Sequence, residues 1–122
     1  MDMTTSKRQA GDVTIVDLTG RIALGEESAA LRNLVMDLIS QGHMKILLNM
    51  AGVDYVDSSG LGALVSSVTS VRKAGGEMKL VNLSEKVDDL MEVTRLYTVF
   101  DIADNEEAAL ASFGKTAAAG AH

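Results

Sequence analysis

The sequence predicts a single α/β domain: a mixed, largely parallel β-sheet covered by helices, in the order β-β-α-β-α-β-α-β-α. Three observations carry this expectation. The chain has 122 residues, 47% of them hydrophobic, which suits one domain burying about 65% of its unfolded surface. Short β-branched or aliphatic runs alternate with segments whose apolar residues recur every three to four positions. With 11 glycines and no proline, the boundaries between these segments fall on Gly, Ser, Asn and Asp.

Val13 to Leu18 is β-branched and aliphatic and reads as a strand; Gly11-Asp12 before it is a turn signal, and the more polar residues 3–9 form its hairpin partner. Thr19-Gly20 is expected to end that strand. Over 26–41, Leu31, Leu34, Val35, Leu38 and Ile39 fall on one helical stripe. Glu26 and Glu27 lie in the first turn, where the dipole favours carboxylates, and Gly42 marks the stop. Four of the six residues from Lys45 to Met50 are apolar, without alternation, as in a strand buried on both faces. A helix over 59–74 carries Leu61, Leu64, Val65, Val68 and Val71, and Gly75-Gly76 terminates it. Met78 to Val81 is a further strand. Ser84 caps a helix with Val87, Leu90, Met91 and Thr94 inside. Val99 to Ile102 is the last strand, and Asn105 caps a final helix through Leu110 and Phe113. The domain is therefore placed at 1–114, with 115–122, rich in Ala and Gly and without periodicity, as a flexible C-terminal tail.

Composition excludes several functions. The absence of cysteine rules out disulfides and thiolate metal sites, and the two histidines, His43 and His122, cannot build a zinc centre. No cofactor, metal or catalytic residue is expected. A net charge of −6 and 3% aromatics argue against phosphate-backbone binding and base stacking, so no nucleic-acid partner is expected. No apolar run approaches the roughly 18–20 residues of a membrane span, and residues 1–6 have no signal-peptide core. No membrane association is expected, and a cytoplasmic location is the default expectation.

One segment carries chemistry: Tyr55, Val56, then Asp57-Ser58-Ser59-Gly60-Leu61-Gly62 at the start of a helix that follows a buried strand. In open α/β sheets, function concentrates at such strand-to-helix turns. A hydroxyl there faces unpaired N–H groups and a partial positive charge, so an added phosphate is tolerated. Gly62, expected in the first turn, costs about 1 kcal/mol against Ala and suggests a close approach to the backbone. The same string also reads as an ordinary capped turn. It has no P-loop lysine, and its glycine spacing is not that of a nucleophile elbow. Most of Ser66, Ser67, Thr69 and Ser70 read as the polar face of their helix, and Met36, Met78 and Met91 as fillers of core gaps.

Asp57-Ser58-Ser59-Gly60-Leu61-Gly62 resembles the signature of STAS domains, and within them the stand-alone bacterial anti-sigma factor antagonists. The similarity extends to Leu18-Thr19-Gly20-Arg21-Ile22, Gly75-Gly76-Glu77-Met78 and Leu96-Tyr97-Thr98-Val99-Phe100, spanning roughly residues 10–113. The resemblance implies that Ser58 accepts a phosphoryl group from an anti-sigma factor serine kinase of the histidine-kinase-like ATPase fold. It implies further that the unphosphorylated chain captures this factor and frees the sigma factor, and that a metal-dependent serine phosphatase resets the switch. Asp57, Ser58, Ser59, Gly60, Leu61, Gly62 and the loop aromatic Tyr55 are the expected partner-binding residues. The chain departs from the family pattern at Ala23, where many members carry an acidic residue. Two other classes compete: a STAS subunit or scaffold of a larger assembly, such as a lipid-transport or signalling complex, which does not need Ser58; and a small enzyme, for which no general base or metal cluster is visible.

Overall fold

A computed structural model describes residues 3–114. Five strands form one sheet in the sequential order β1-β2-β3-β4-β5. β1 (Thr4–Ala10) and β2 (Val13–Ile22) make an antiparallel hairpin. β3 (Lys45–Val56), β4 (Glu77–Val81) and β5 (Asp101–Ala103) then add in parallel. Four α-helices connect or follow them: α1 (Glu26–Ser40), α2 (Ser58–Lys73), α3 (Glu85–Thr94) and α4 (Glu106–Ser112). The α/β order is the expected one. The tail expected over 115–122 lies outside the described residues.

The helices divide unequally between the two faces of the sheet. Ile46, Leu48 and Met50 of β3, with Met78 and Leu80 of β4, meet Leu31, Val35 and Leu38 of α1, Leu64 and Val68 of α2, and Val87 and Met91 of α3. On the other face, α4 is the one helix among the described residues that covers Val13, Ile15, Leu47 and Val81, through Ala109 and Leu110, with Phe113 just beyond its end. Beside that second core lies a polar row. Arg8 donates to Asp17 at 2.6 and 2.8 Å and to Glu106 of α4 at 2.8 and 3.2 Å. Asn49 donates to Asp17 at 2.7 Å and accepts from Asn82 at 3.0 Å. Arg8 holds the carboxyls of Asp17 and Glu106 below their ordinary values.

Several boundaries differ from the expected ones. β2 does not end at Thr19-Gly20; Gly20, at φ 96°, sits at an irregularity in the β2–β3 register, and pairing continues to Ile22 opposite Val56. A glycine at positive φ inside a ladder marks a bulge as readily as a strand end. β3 likewise runs to Val56, seven residues beyond Asn49, its last residue paired with β4. The last strand starts two residues later than expected: Arg95, at φ 61°, ends α3, and a single 3-10 turn over Leu96–Thr98 follows. Phe100, expected in that strand, is instead buried just before it.

Some side chains also depart from expectation. Met36 is 51% exposed on the outer side of α1, away from the Leu31, Val35, Leu38 stripe, whereas Met78 and Met91 are buried as expected. Thr94 is exposed and returns its hydroxyl to the Leu90 carbonyl at 2.7 Å. Ser67 is buried, not part of a polar face.

Candidate functional site

Beyond the sheet proper, the ends of β2 and β3 run on as a two-stranded parallel ribbon, with Arg21 opposite Tyr55 and Ile22 opposite Val56. The chain then turns into α2, and the expected segment lies at that turn. Asp57 has extended backbone geometry and is the N-cap: its Oδ1 accepts from the Gly60 N–H at 2.9 Å and from the Ser59 hydroxyl at 2.7 Å. Its Oδ2 accepts from the Leu24 N–H at 3.0 Å. Donation from Leu24, then Ser59, then Gly60 lowers the Asp57 carboxyl to about 2.

The two serines are placed in different chemical situations. Ser59 donates to Asp57, accepts from the Gly25 N–H at 3.2 Å, and lies 3.0 Å from the Ser28 hydroxyl of α1. Ser58 is exposed, and its hydroxyl makes no hydrogen bond among the described residues. It is the first residue of a 16-residue helix, at the positive end of the dipole.

The two glycines exchange the roles expected of them. Gly62 is exposed in the second turn of α2, and an added Cβ there would meet nothing within 4 Å. A Cβ on Gly60 would overlap the Ile22 carbonyl oxygen, so the close approach that the sequence suggested occurs at Gly60 and within the chain. Leu61 turns into the core. Gly60 and Leu61 thus build the site, whereas Ser58, Gly62 and Tyr55 offer surface. Tyr55 is 48% exposed, with the Arg21 guanidinium 5.9 Å from its ring centroid. A shallow cleft of about 250 Å³ runs from Asp54, Tyr55 and Val56 to Lys86 and Leu90 of α3. Ala23 is buried.

Three residues of the site escaped the sequence reading: Leu24, Gly25 and Ser28. They reach Asp57 and Ser59 across a sequence separation of more than 30 residues, through the β2–β3 pairing and the packing of α1 on α2.

Residues 4–109 match the STAS domain family. The chain belongs to the STAS domain family. Among curated proteins, this STAS domain is 34% identical over 101 residues to the anti-sigma-B factor antagonist of Bacillus subtilis, covering 83% of this chain and 90% of that one. It is 30% identical to the anti-sigma F factor antagonist of Paenibacillus polymyxa, covering 80% and 84%. The crystal structure of a Thermotoga maritima protein named a putative anti-sigma factor antagonist superposes on the STAS domain with a TM-score of 0.79 at 26% identity, covering 89% of this chain and 93% of the other. No helix among the described residues is long and apolar enough to cross a membrane.

Proposed function

We propose that this STAS domain is an anti-sigma factor antagonist: a binding protein, not an enzyme, switched by phosphorylation of Ser58. In the unphosphorylated form it binds an anti-sigma factor that is also a serine kinase, releasing the sigma factor. Phosphorylated, it lets the anti-sigma factor go, and a metal-dependent phosphatase restores it. The observation that carries this reading is the contrast between the two serines. Ser58 is exposed at a helix start and makes no side-chain hydrogen bond among the described residues, whereas Ser59 is held by Asp57, Gly25 and Ser28. The names of the curated relatives support the partner class.

The chemistry divides between the two proteins. The Ser58 oxygen attacks the γ-phosphorus of ATP, the bond to the ADP oxygen breaks, and the serine proton goes to a base. Asp57 does not serve as that base, because a carboxyl at about 2 with three donors is a poor proton acceptor at neutral pH. On this reading the base is supplied by the kinase. The product phosphate adds roughly −1.5 to −2 charges at pH 7. The helix dipole tolerates this charge, but a partner surface fitted to a neutral hydroxyl must desolvate it, which is costly.

The test is phosphorylation of the full chain by the source organism's anti-sigma factor kinase with ATP-Mg, followed by mass spectrometry. Phosphate on Ser58 is expected; phosphate on Ser59 or at 66–70 with Ser58 clean overturns the assignment. In titration calorimetry Ser58→Ala keeps the parent's affinity, and Ser58→Asp binds at least about tenfold more weakly, since charge burial exceeds 1.4 kcal/mol. Equal affinities of the two variants would remove Ser58 from the interface.

A further inference from the structure

We propose that Leu24 is an anchoring residue of the surface on which the kinase of Ser58 docks, held outward by a turn tied to the phosphoacceptor's own helix cap. The proposal rests on the reading of Ser58 given above and adds a contact residue to it.

Leu24 combines two features that folding alone disfavours. Its backbone is at φ 61°, in the left-handed region where a Cβ is crowded and glycine or asparagine is the usual choice. Its side chain is 72% exposed. Singly exposed apolar residues are ordinary, as with Val93 on α3, but Val93 stands on relaxed helical backbone. At Leu24 a glycine would relieve the backbone and remove the exposed carbons together. Backbone outliers of this kind cluster at functional sites, where the surroundings over-determine them.

Those surroundings are the site itself. The Leu24 N–H donates to Asp57 at 3.0 Å, and the next N–H, of Gly25 at φ 73°, donates to Ser59 at 3.2 Å. The Glu26 N–H closes the turn onto the Leu24 carbonyl at 2.7 Å, and buried Ala23 fixes its other side. Position 24 is therefore locked to the residues on either side of Ser58.

The occupant follows from the reaction. A kinase that brings ATP to bonding distance of the Ser58 oxygen must cover the ground next to Asp57, and Leu24 stands on that ground. Its methyl groups are desolvated at little cost, unlike the carboxylate of Asp57 beside it. Half-exposed Tyr55, three residues before Ser58, supplies a second apolar contact.

The experiment compares Leu24→Gly, Leu24→Asn, Leu24→Met and Val93→Ser in the full chain. The readouts are the thermal midpoint, and kcat and KM for Ser58 phosphorylation by the source organism's purified anti-sigma factor kinases. Leu24→Gly and Leu24→Asn should melt at or above the parent's temperature and lose at least about tenfold in kcat/KM, carried mainly by KM. Leu24→Met, equally strained but apolar, should stay within about threefold of the parent, and Val93→Ser should match it. Leu24→Asn phosphorylated at the parent's rate overturns the proposal, whatever Leu24→Gly does. So does a loss in Leu24→Asn accompanied by a rise of the Asp57 carboxyl from about 2, which would assign the effect to a broken turn. A parent chain that none of these kinases phosphorylates on Ser58 removes the underlying reading, and this proposal with it.

Discussion

At Gly60 a single methyl decides whether α2 can start where it does, because the Ile22 carbonyl oxygen already occupies the space a Cβ would need. Gly60→Ala should destabilise the domain by about 1–3 kcal/mol, the usual range for overpacking, in urea melts. Gly62→Ala should act in the opposite direction. Its Cβ has open space, and alanine gains up to about 1 kcal/mol in a helix interior, so stability holds or rises while affinity for the partner falls. An unchanged affinity would exclude Gly62 from the docking surface. Asp57 gives a pH signature. Its folded pKa of about 2 lies below an unfolded value near 3.9, so it stabilises the fold fully above about pH 4 and progressively less as pH falls towards 2. Asp57→Ala should lower the thermal midpoint at pH 7 by several degrees and flatten its slope between pH 4 and 2. Much of this site was legible because Asp57 to Gly62 is contiguous and cap grammar is local. Leu24, Gly25 and Ser28 were not, because their hydrogen bonds exist only once two strands and two helices have taken their register. Glycine spacing likewise did not distinguish Gly60, which meets Ile22, from Gly62, which meets solvent.

The elements were legible where an apolar period is long, as in α1 and α2, and less so where pairing overrides pattern. Beyond Met50, β3 shows only Val53 and Val56 buried, too sparse a pattern to announce a strand, yet the ladder to β2 continues to its end. The short β5 was displaced by the turn at Leu96–Thr98, which conceals the boundary between helix and strand. The clasp of Arg8 on Asp17 and Glu106 joins β1 and β2 to α4, the one helix on its face among the described residues. Its members are partly exposed, so Arg8→Ala should cost no more than about 1 kcal/mol and lose its effect at high salt. Faster amide exchange confined to α4 and β1 is the expected signature; uniform acceleration across the sheet would mean that the clasp supports the whole fold.

Across the whole molecule, the fold and the modification should be independent. The Ser58 oxygen takes part in no hydrogen bond among the described residues, so a phosphoryl group breaks none, and the first turn of α2 accommodates the charge. Ser58→Asp should therefore melt within about 2 °C of Ser58→Ala and give the same amide spectrum except near the α2 start. A global spectral change would contradict a local switch. The free hydroxyl also makes the domain a memory element. On the proposed reading of Ser58, each molecule holds one bit in a phosphate ester, and its retention time is the lifetime of that bond. The chain does not forget between encounters, and a cell could count past kinase activity simply by the fraction of the pool still carrying phosphate.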